Sequence, residues 1–338
     1  MNKFYILLFL ALSLCNNELD ELDSLIFSHF QKFIKKYQKK YTSLDEFLSR
    51  FANFKKNLIE TLADEGTSYK TGINQFSDLT KEEFGKQYLN LKLDFNSNIQ
   101  TIIINNENEA PSEFDWRDRN VVTGVKDQLE CDSTYAFSAI GNLEGLYALE
   151  KNVLKEFSIQ MILDCDTIDS SCNGGAMQYT FEWIKQNGGI NFEEDYPYGG
   201  YKRSCRSIKS KYADMKVTGY KKLGNPYSEY DFDPVDENDM KEFLYKTGPL
   251  CIAINGYGIF SYSSGVIDKD ETKCPSSGIN HGALLVGYGN DPNSGLDYWI
   301  VKNSWGPRWG ENGYFRMRRG NGTCGINCYV LTATVEFD

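Results

Sequence analysis

The chain has 338 residues, of which 41% are hydrophobic and 25% are charged. This is an ordinary globular composition, and the length allows two domains or one large domain behind a pro-segment. The formal net charge of −11 argues against nucleic acid or an anionic membrane as a binding partner.

The N-terminus has the pattern of a secretory signal peptide. Lys3 precedes an apolar run over residues 4–14, and the small residues Ser13 and Cys15 stand where a signal peptidase would cut. We therefore predict a signal peptide over residues 1–15, with a buried N-terminal helix as the alternative. No later segment has about 18 consecutive apolar residues, so we expect no membrane span. The predicted location is the secretory pathway, ending outside the cell or in a lysosome or vacuole.

Residues 25–62 carry apolar side chains at helical spacing, which predicts two amphipathic helices. The apolar positions are Phe27, Phe30, Phe33, Ile34, Tyr37, Phe47, Phe51, Phe54 and Leu58. Thr42 or Ser43 is the predicted N-cap of the second helix. The pair is either a pro-segment that covers another domain or a core hairpin of a single domain.

Residues 128–145 (Q-L-E-C-D-S-T-Y-A-F-S-A-I-G-N-L-E-G) predict a helix that begins at Thr134. The first amides of a helix lack internal partners and its dipole adds positive charge there, so this end stabilises an anion. An enzyme would place a nucleophile here. The amide of Gln128 would then donate a second hydrogen bond to an oxyanion.

The remaining motifs predict a helical half followed by a half made of strands. Ser158 is the predicted N-cap of a helix through Leu163, and the pair Gly174 and Gly175 marks either a tight turn or a close backbone approach. Short apolar runs between glycines predict antiparallel strands at residues 250–255, 283–287, 298–302 and 314–317.

Cysteine usage predicts disulfides. The chain has nine cysteines, and removal of Cys15 with the signal peptide leaves eight. An even number behind a secretory signal is typical of a disulfide framework, but eight cysteines allow roughly a hundred pairings. The spacing alone therefore does not choose among them.

The segment Q-L-E-C-D-S-T-Y-A-F-S resembles the active-site helix of the papain-like cysteine peptidases of cathepsin L type, whose pattern is Q-G-x-C-G-S-C-W-A-F-S. The matching residues are Gln128, Cys131, Ser133, Ala136, Phe137 and Ser138. Leu129, Asp132 and Tyr135 depart from the pattern. The resemblance places Thr134 at the position of the catalytic cysteine, and it places a carboxylate, Asp132, beside the oxyanion site.

Two upstream motifs resemble the propeptide of the same family. The helix motif is carried by Glu46, Arg50, Phe54 and Asn57, and the G-x-N-x-F-x-D motif by Gly72, Asn74, Phe76 and Asp78. The resemblance implies an inhibitory propeptide over residues 16–109 that runs back through the cleft. Cleavage is expected within residues 94–109, leaving a peptidase domain over residues 110–338.

The second half carries the segments that resemble the rest of the active site. His281 lies in N-H-G-A-L-L-V-G-Y-G and Asn303 in K-N-S-W-G. The resemblance makes His281 the catalytic imidazole, Asn303 the residue that orients it, and Trp305 its shield. It implies an α+β papain-like fold in which a helical half packs on an antiparallel barrel, with a cleft between them.

The resemblance also implies a set of disulfides and a substrate site. The implied bridges are Cys131–Cys172, Cys165–Cys205 and Cys274–Cys324, leaving Cys251 and Cys328 as buried thiols or a fourth bridge. Gly174 and Gly175 would hydrogen-bond an extended peptide. The implied apolar side-chain pocket consists of Ala176, Met177, Ala253, Ile279, Gly282 and Tyr329, with Trp305 also against the substrate. No cofactor and no metal is implied.

Two further features are predicted to lie on the surface. Asn321 begins the sequon N-G-T and is the candidate glycosylation site. Residues 225–234 are an insertion relative to the family, either an exposed acidic loop or a partner-binding loop with tyrosine anchors. We expect a monomer.

Function depends on residue 134. A thiol is readily ionised beside a histidine, whereas an aliphatic hydroxyl needs the histidine as a true general base. The favoured hypothesis is a non-catalytic homologue that binds a peptide or protein, and its own propeptide, in the cleft. The alternative is a weak threonine-dependent endopeptidase. Its substrates would have an apolar residue immediately before the cleavage-site residue. A sequencing error in one codon is a third hypothesis.

Overall fold

The computed structural model describes residues 21–63, 68–93, 100–102, 104, 109–206, 208–224, 234–268 and 274–337. The predicted signal peptide, most of the predicted cleavage region 94–109, and residues 225–233 of the predicted insertion lie outside these residues. None of the helices in the described part of the chain combines the length and the apolar composition that a membrane span requires.

The α-helices appear in the order expected from the sequence, with three that the sequence reasoning did not identify. They are α1 (Glu21–Tyr37), α2 (Leu44–Leu62), α3 (Lys81–Tyr88), α4 (Thr134–Lys151), α5 (Ile159–Cys165), α6 (Met177–Asn187) and α7 (Glu237–Thr247). The helices α3, α6 and α7 are the additional ones. Ser43 is the N-cap of α2 and accepts from the Glu46 amide at 3.1 Å, and Ser158 is the N-cap of α5.

The strands form one mixed sheet. They are β1 (Tyr69–Thr71), β2 (Gln100–Ile102), β3 (Phe114–Asp115), β4 (Met215–Leu223), β5 (Leu250–Ile254), β6 (Tyr262–Ile267), β7 (His281–Asn290), β8 (Asp297–Lys302), β9 (Tyr314–Arg318) and β10 (Val330–Phe337). Their order is β1-β6-β9-β8-β7-β5-β10-β4-β2, with β3 paired to β7. The four predicted strands are β5, β7, β8 and β9.

The sheet departs from the expected antiparallel arrangement in two pairs. β6 pairs with β9, and β2 with β4, in parallel. Strands β1 and β2 come from the region predicted to be the pro-segment, and they occupy the two ends of the strand order. Strand edges expose unpaired amides and carbonyls, so these two short strands cover edges of the larger sheet. Because β1 and β2 have only three residues each and pair with strands far away in the sequence, their own residues give little indication of strand structure.

The helices α1 and α2 pack on each other through their own aromatic cluster. The ring centroid of Phe54 lies 5.2 Å from that of Phe30 and 5.0 Å from that of Phe33. This cluster is separate from the two large clusters of the remaining chain, which surround the sheet and the helix α4. The helical pair therefore has an apolar cluster of its own, as the pro-segment interpretation predicts.

The helix α4 is buried on nearly all sides between the sheet and the other helices. A helix that is apolar around its circumference belongs in the interior, which agrees with the apolar run that begins at Thr134. It contacts β5, β7 and β10 on one side and α5 and α6 on the other. The N-terminus of α4 consequently lies where the helical layer meets the sheet.

Candidate active site

Thr134 is the first residue of α4 and is completely buried. Its hydroxyl accepts a hydrogen bond from the Gly282 amide at 3.3 Å. A Cβ atom at Gly282 would lie 3.2 Å from the Thr134 carbonyl oxygen, so glycine allows β7 to approach the helix closely. The structure thus brings the start of the helix against the strand that begins at His281.

His281 is held by two residues of the sheet half. Its Nε2 lies 3.0 Å from Oδ1 of Asn303, and its ring centroid lies 4.8 Å from that of Trp305. Asn303 Oδ1 also accepts from the Ser304 amide at 2.8 Å, which fixes the oxygen toward the imidazole. The resemblance assigns Asn303 to orient this imidazole and Trp305 to shield it, and both residues lie against its ring. Because Asn303 Oδ1 only accepts, Nε2 carries the proton.

Burial lowers the pKa of His281 to about 4, since the charged imidazolium is poorly solvated there. The hydrogen bond to Asn303 opposes this shift, and the backbone of Tyr88 opposes it further. Nδ1 nevertheless has no partner of regular hydrogen-bond geometry among the described residues. The imidazole is therefore neutral at physiological pH, with a proton on Nε2.

Gln128 is fixed between the two halves of the molecule. Its Nε2 donates to the Cys131 carbonyl at 3.0 Å, and its Oε1 accepts from the Ser304 hydroxyl at 2.7 Å. The backbone amide of Gln128 donates to the Ser304 carbonyl at 2.8 Å. The sequence predicted no role for Ser304, although it lies between Asn303 and Trp305 in the motif K-N-S-W-G.

Residues 90–92 run through the groove between the helical half and the sheet. The Leu91 amide donates to the Asn280 carbonyl at 3.2 Å, and the Lys92 amide donates to the Gly175 carbonyl at 2.8 Å. Gly174 has φ +89°, and a Cβ atom there would lie 2.0 Å from the Asn90 carbonyl oxygen. The paired glycines thus provide a backbone edge and the space that an adjacent chain needs.

Leu91 belongs to the same buried apolar cluster as Met177, Ala253 and Tyr329, and the half-buried Ile279 packs against that cluster. We call this part of the cluster the Leu91 pocket. Ala176 precedes α6 and is buried, and Gly282 faces Ala253 across the β5–β7 pair. Of the six residues assigned to this pocket from the sequence, four thus belong to or pack against the cluster that contains Leu91, and the other two are buried at the start of α6 and in β7.

Trp305 packs against the part of the chain that precedes Asn90. Its ring centroid is 5.0 Å from that of Phe76 and 5.4 Å from that of Phe84. The Gln75 side chain donates to the Trp305 carbonyl at 2.7 Å. The groove is covered by residues 75–92 from the tryptophan to the glycine pair.

The cysteines form the three bridges named above, Cys131–Cys172, Cys165–Cys205 and Cys274–Cys324. Cys251 and Cys328 are buried free thiols. Of the two alternatives left open by the sequence, the structure therefore has the thiols and not the fourth bridge. Asn321 is half-buried, and its side-chain amide donates to Asp268 at 3.1 Å.

Comparison with known proteins assigns the chain to a family. A sequence model for papain family cysteine proteases matches residues 110–334, and a model for the cathepsin propeptide inhibitor domain matches residues 30–84. The chain belongs to the papain family. It has the organisation of a papain-family zymogen, in which the propeptide precedes the peptidase-like domain.

Two relatives illustrate the extent of the similarity. The chain is 39% identical to cathepsin F of Drosophila melanogaster over 330 residues, covering 95% of this chain and 52% of that protein. It is 39% identical over 321 residues to the viral cathepsin of Spodoptera litura multicapsid nucleopolyhedrovirus, covering 91% of this chain and 90% of that one. It therefore spans about half the length of the fly protein but nearly all of the viral one.

Solved proforms have the same fold. Procathepsin L2 from Tenebrio molitor larval midgut superimposes with a TM-score of 0.80 at 32% identity, over 91% of this chain and 99% of that chain. The stem bromelain precursor gives a TM-score of 0.79 at 33% identity, over 91% and 98% of the two chains. The papain-like α+β fold with a helical propeptide is thus confirmed.

Proposed function

We propose that this papain-family zymogen is a non-catalytic homologue whose groove binds an extended peptide or protein segment, with Thr134 in the place of the catalytic cysteine. The observation that carries the proposal is the hydroxyl at the start of α4. It accepts from the Gly282 amide at 3.3 Å, and the imidazole of His281 has no hydrogen bond to it among the described residues.

The chemistry of a hydroxyl supports this proposal. In papain the cysteine thiol has a pKa of about 3–4, against about 8.5 for free cysteine, so a helix terminus and one imidazole suffice to ionise it. An aliphatic hydroxyl starts far higher. It must lose its proton to His281 during the attack itself, which requires a hydrogen bond between the two groups.

The groove retains what binding requires. Gly175 offers its carbonyl to an incoming backbone amide, Asn280 offers another, and the Leu91 pocket receives an apolar side chain. These contacts are independent of residue 134. Loss of the nucleophile therefore removes turnover without removing the site.

A comparison of three proteins tests the proposal. The full chain, Thr134→Ala and Thr134→Cys each receive a recognition sequence for a site-specific protease at Glu109, are cut, and are mixed with peptides containing apolar residues. We expect no hydrolysis by the first two and at least about 10³-fold more by the cysteine variant, because triad enzymes lose rate by larger factors when the nucleophile is removed. The uncut full chain, incubated alone at acid pH, should also remain unprocessed.

Two results would contradict the proposal, and one would extend the loss of activity to further residues. Hydrolysis by the wild-type protein that is lost in Thr134→Ala would establish the threonine-dependent endopeptidase instead. Failure of Thr134→Cys to cleave would show that Leu129 or Asp132 also disables the site. Absence of peptide binding to Thr134→Ala, measured by fluorescence anisotropy, would remove the binding function.

We further propose that the protein follows the secretory pathway. The apolar run over residues 4–14 and the three disulfides support this location, since disulfides persist in oxidising compartments. Expression of the full chain in a eukaryotic cell should yield a product lacking the first residues. Retention of Met1 and reduced cysteines would contradict it.

A further inference from the structure

Asp132 is a buried carboxylate in the wall of the groove. It follows Cys131, its amide donates to the Cys172 carbonyl at 3.2 Å, and it is paired through an isolated bridge with Asn173. Its exposed fraction is 2%. A carboxylate at such a site is costly unless donors surround it, so the group that contacts it matters for what the groove accepts.

The described donors to this carboxylate come from one residue of the propeptide. The Asn90 amide donates to Asp132 Oδ2 at 2.7 Å, and the Asn90 side-chain Nδ2 donates to the same oxygen at 2.9 Å. The other oxygen, Oδ1, is buried and has no partner among the described residues. One acceptor is thus used twice while the other is unused.

The position of Asn90 defines a subsite next to the Leu91 pocket. The Cβ position at Gly174 lies 3.0 Å from the Asn90 Cβ atom, and the Lys92 amide bonds to Gly175 one step further along. An occupant in this register therefore presents one side chain to Asp132 and the next to the apolar pocket.

The surrounding charges favour a cation at this subsite. Asp127, Glu130 and Asp132 all act on Tyr88, whose pKa is raised chiefly by burial and further by these carboxylates. The amine of Lys92 donates to the Ser170 hydroxyl at 3.0 Å, and its positive charge favours the ionised form of Asp132. A carboxylate in the occupant would face Asp132 in a poorly solvated site, where two like charges repel strongly.

We propose that Asp132 determines the specificity of the groove. The preferred occupant has a hydrogen-bond-donating side chain at the position of Asn90, next to the apolar side chain at the position of Leu91. Arginine or lysine binds best at the position of Asn90. An arginine fork has paired donors that match the two oxygens of a carboxylate, whereas Asn90 donates to Oδ2 alone. The preferred ligand is a segment with a basic or amide residue next to a leucine-like residue. This proposal rests on the proposed binding function of the groove.

The propeptide is a built-in occupant, so the full chain itself provides the test. Asn90→Arg, Asn90→Ala and Asn90→Glu are made in the wild-type chain and in Asp132→Asn and Asp132→Gly chains. Hydrogen exchange of the Leu91 and Lys92 amides near pH 7.5 measures how firmly the segment is held. Native cysteine pairing and the circular dichroism spectrum verify that each variant folds.

In the wild-type background we expect protection in the order arginine, asparagine, alanine, glutamate. Alanine should lose about 10- to 100-fold, the range for a hydrogen bond to a charged group, and glutamate more. With asparagine or glycine at residue 132 the three substitutions should differ by less than about threefold. Lys86→Ala, which removes an exposed amine from α3 just upstream of the segment, serves as the matched control.

The same rank order in the Asp132→Gly background would overturn the proposal, as would equal protection of the arginine and glutamate variants. A second arm separates this failure from that of the proposed function. Labelled peptides that copy residues 86–93, with arginine, alanine or glutamate at position 90, compete with the propeptide of the protein cut at Glu109.

The outcomes of the peptide arm are distinct. If no peptide binds although the intramolecular order depends on Asp132, the binding function fails and the selectivity of Asp132 stands. If the three peptides bind equally well, Asp132 does not determine specificity, and the groove remains a binding site.

Discussion

The two walls of the groove differ in how much of the papain-family arrangement they retain. On the sheet wall, His281, Asn303 and Trp305 form a complete and well-packed set, with the Nε2–Oδ1 contact at 3.0 Å. On the helix wall, Asp132 and Thr134 depart from the family pattern. Under the proposed function, the groove needs from the helix wall only its backbone edge and its pocket, whereas catalysis would need both walls. The difference between the walls therefore separates the requirements of the proposed binding from those of catalysis.

The propeptide contacts the two walls by different forces. Against the sheet wall it buries an aromatic cluster of Phe76, Phe84 and Tyr88 with Trp305 and Phe260. Against the helix wall it forms a short series of hydrogen bonds from residues 90–92. Apolar burial contributes more free energy than a hydrogen bond exchanged with water, so the sheet wall should hold most of the docking energy.

Truncation of the aromatic anchor is expected to have the largest effect. Phe84 is completely buried, and its ring centroid lies 4.9 Å from that of Phe260 and 5.4 Å from that of Trp305. Phe84→Ala should lower the free energy of unfolding by about 3–5 kcal/mol, through lost burial and the cavity left behind. Urea denaturation of the full chain measures this change.

Leu62→Ala is the control for that truncation, because Leu62 ends α2 with 69% of its surface exposed. It should change the free energy of unfolding by less than about 0.5 kcal/mol. A Phe84→Ala effect as small as that of the control would show that the aromatic cluster does not hold the propeptide.

The second prediction concerns the neutral imidazole on the sheet wall. The pKa of His281 is lowered from 6.5 to about 4. The unfolded chain therefore binds more protons between these values, and the stability contributed by His281 is present above about pH 6.5 and lost as the pH falls toward 4. The loss should be roughly 3 kcal/mol.

His281→Gln removes this titration while retaining a side-chain amide that can reach Asn303. The pKa of Asp132 is raised to about 6, mainly by burial. Its contribution to the free energy of unfolding therefore increases as the pH falls, opposite to that of His281. The quantity to measure is therefore the difference between wild type and His281→Gln in free energy of unfolding at pH 7 and pH 4. A difference that stays constant with pH would show that the imidazole is not held neutral.

Local patterns predicted the residues that carry local structure, and missed those whose role depends on a distant partner. The start of α4 at Thr134 follows from the apolar run that begins there, the Ser158 cap from capping chemistry, and the strands β5, β7, β8 and β9 from short apolar or alternating runs between glycines. The contact of Asp132 with Asn90 joins residues 42 positions apart. The edge strands β1 and β2 likewise exist because of their remote partners. The departure of Asp132 from the family pattern was visible in the sequence, but its partner was not.

The smallest predicted effect concerns the glycine edge of the helix wall. Gly174 has φ +89°, and alanine there combines backbone strain of about 1–2 kcal/mol with a Cβ atom 2.0 Å from the Asn90 carbonyl oxygen. Gly174→Ala should therefore displace residues 90–92, and hydrogen exchange should show the loss of protection at Leu91 and Lys92. Amides in α3, which carries Phe84, should remain protected because the sheet wall is unaffected.

Gly188→Ala is the matched control, since Gly188 has φ +82° and open space around its Cβ position. It imposes similar strain without contacting the propeptide, so the difference between the two variants isolates the clash in the groove. If both variants leave Leu91 and Lys92 equally protected, the propeptide does not depend on the glycine edge. If Gly174→Ala also exposes α3, the two walls hold the propeptide as one cooperative unit, and the separation of their contributions is wrong.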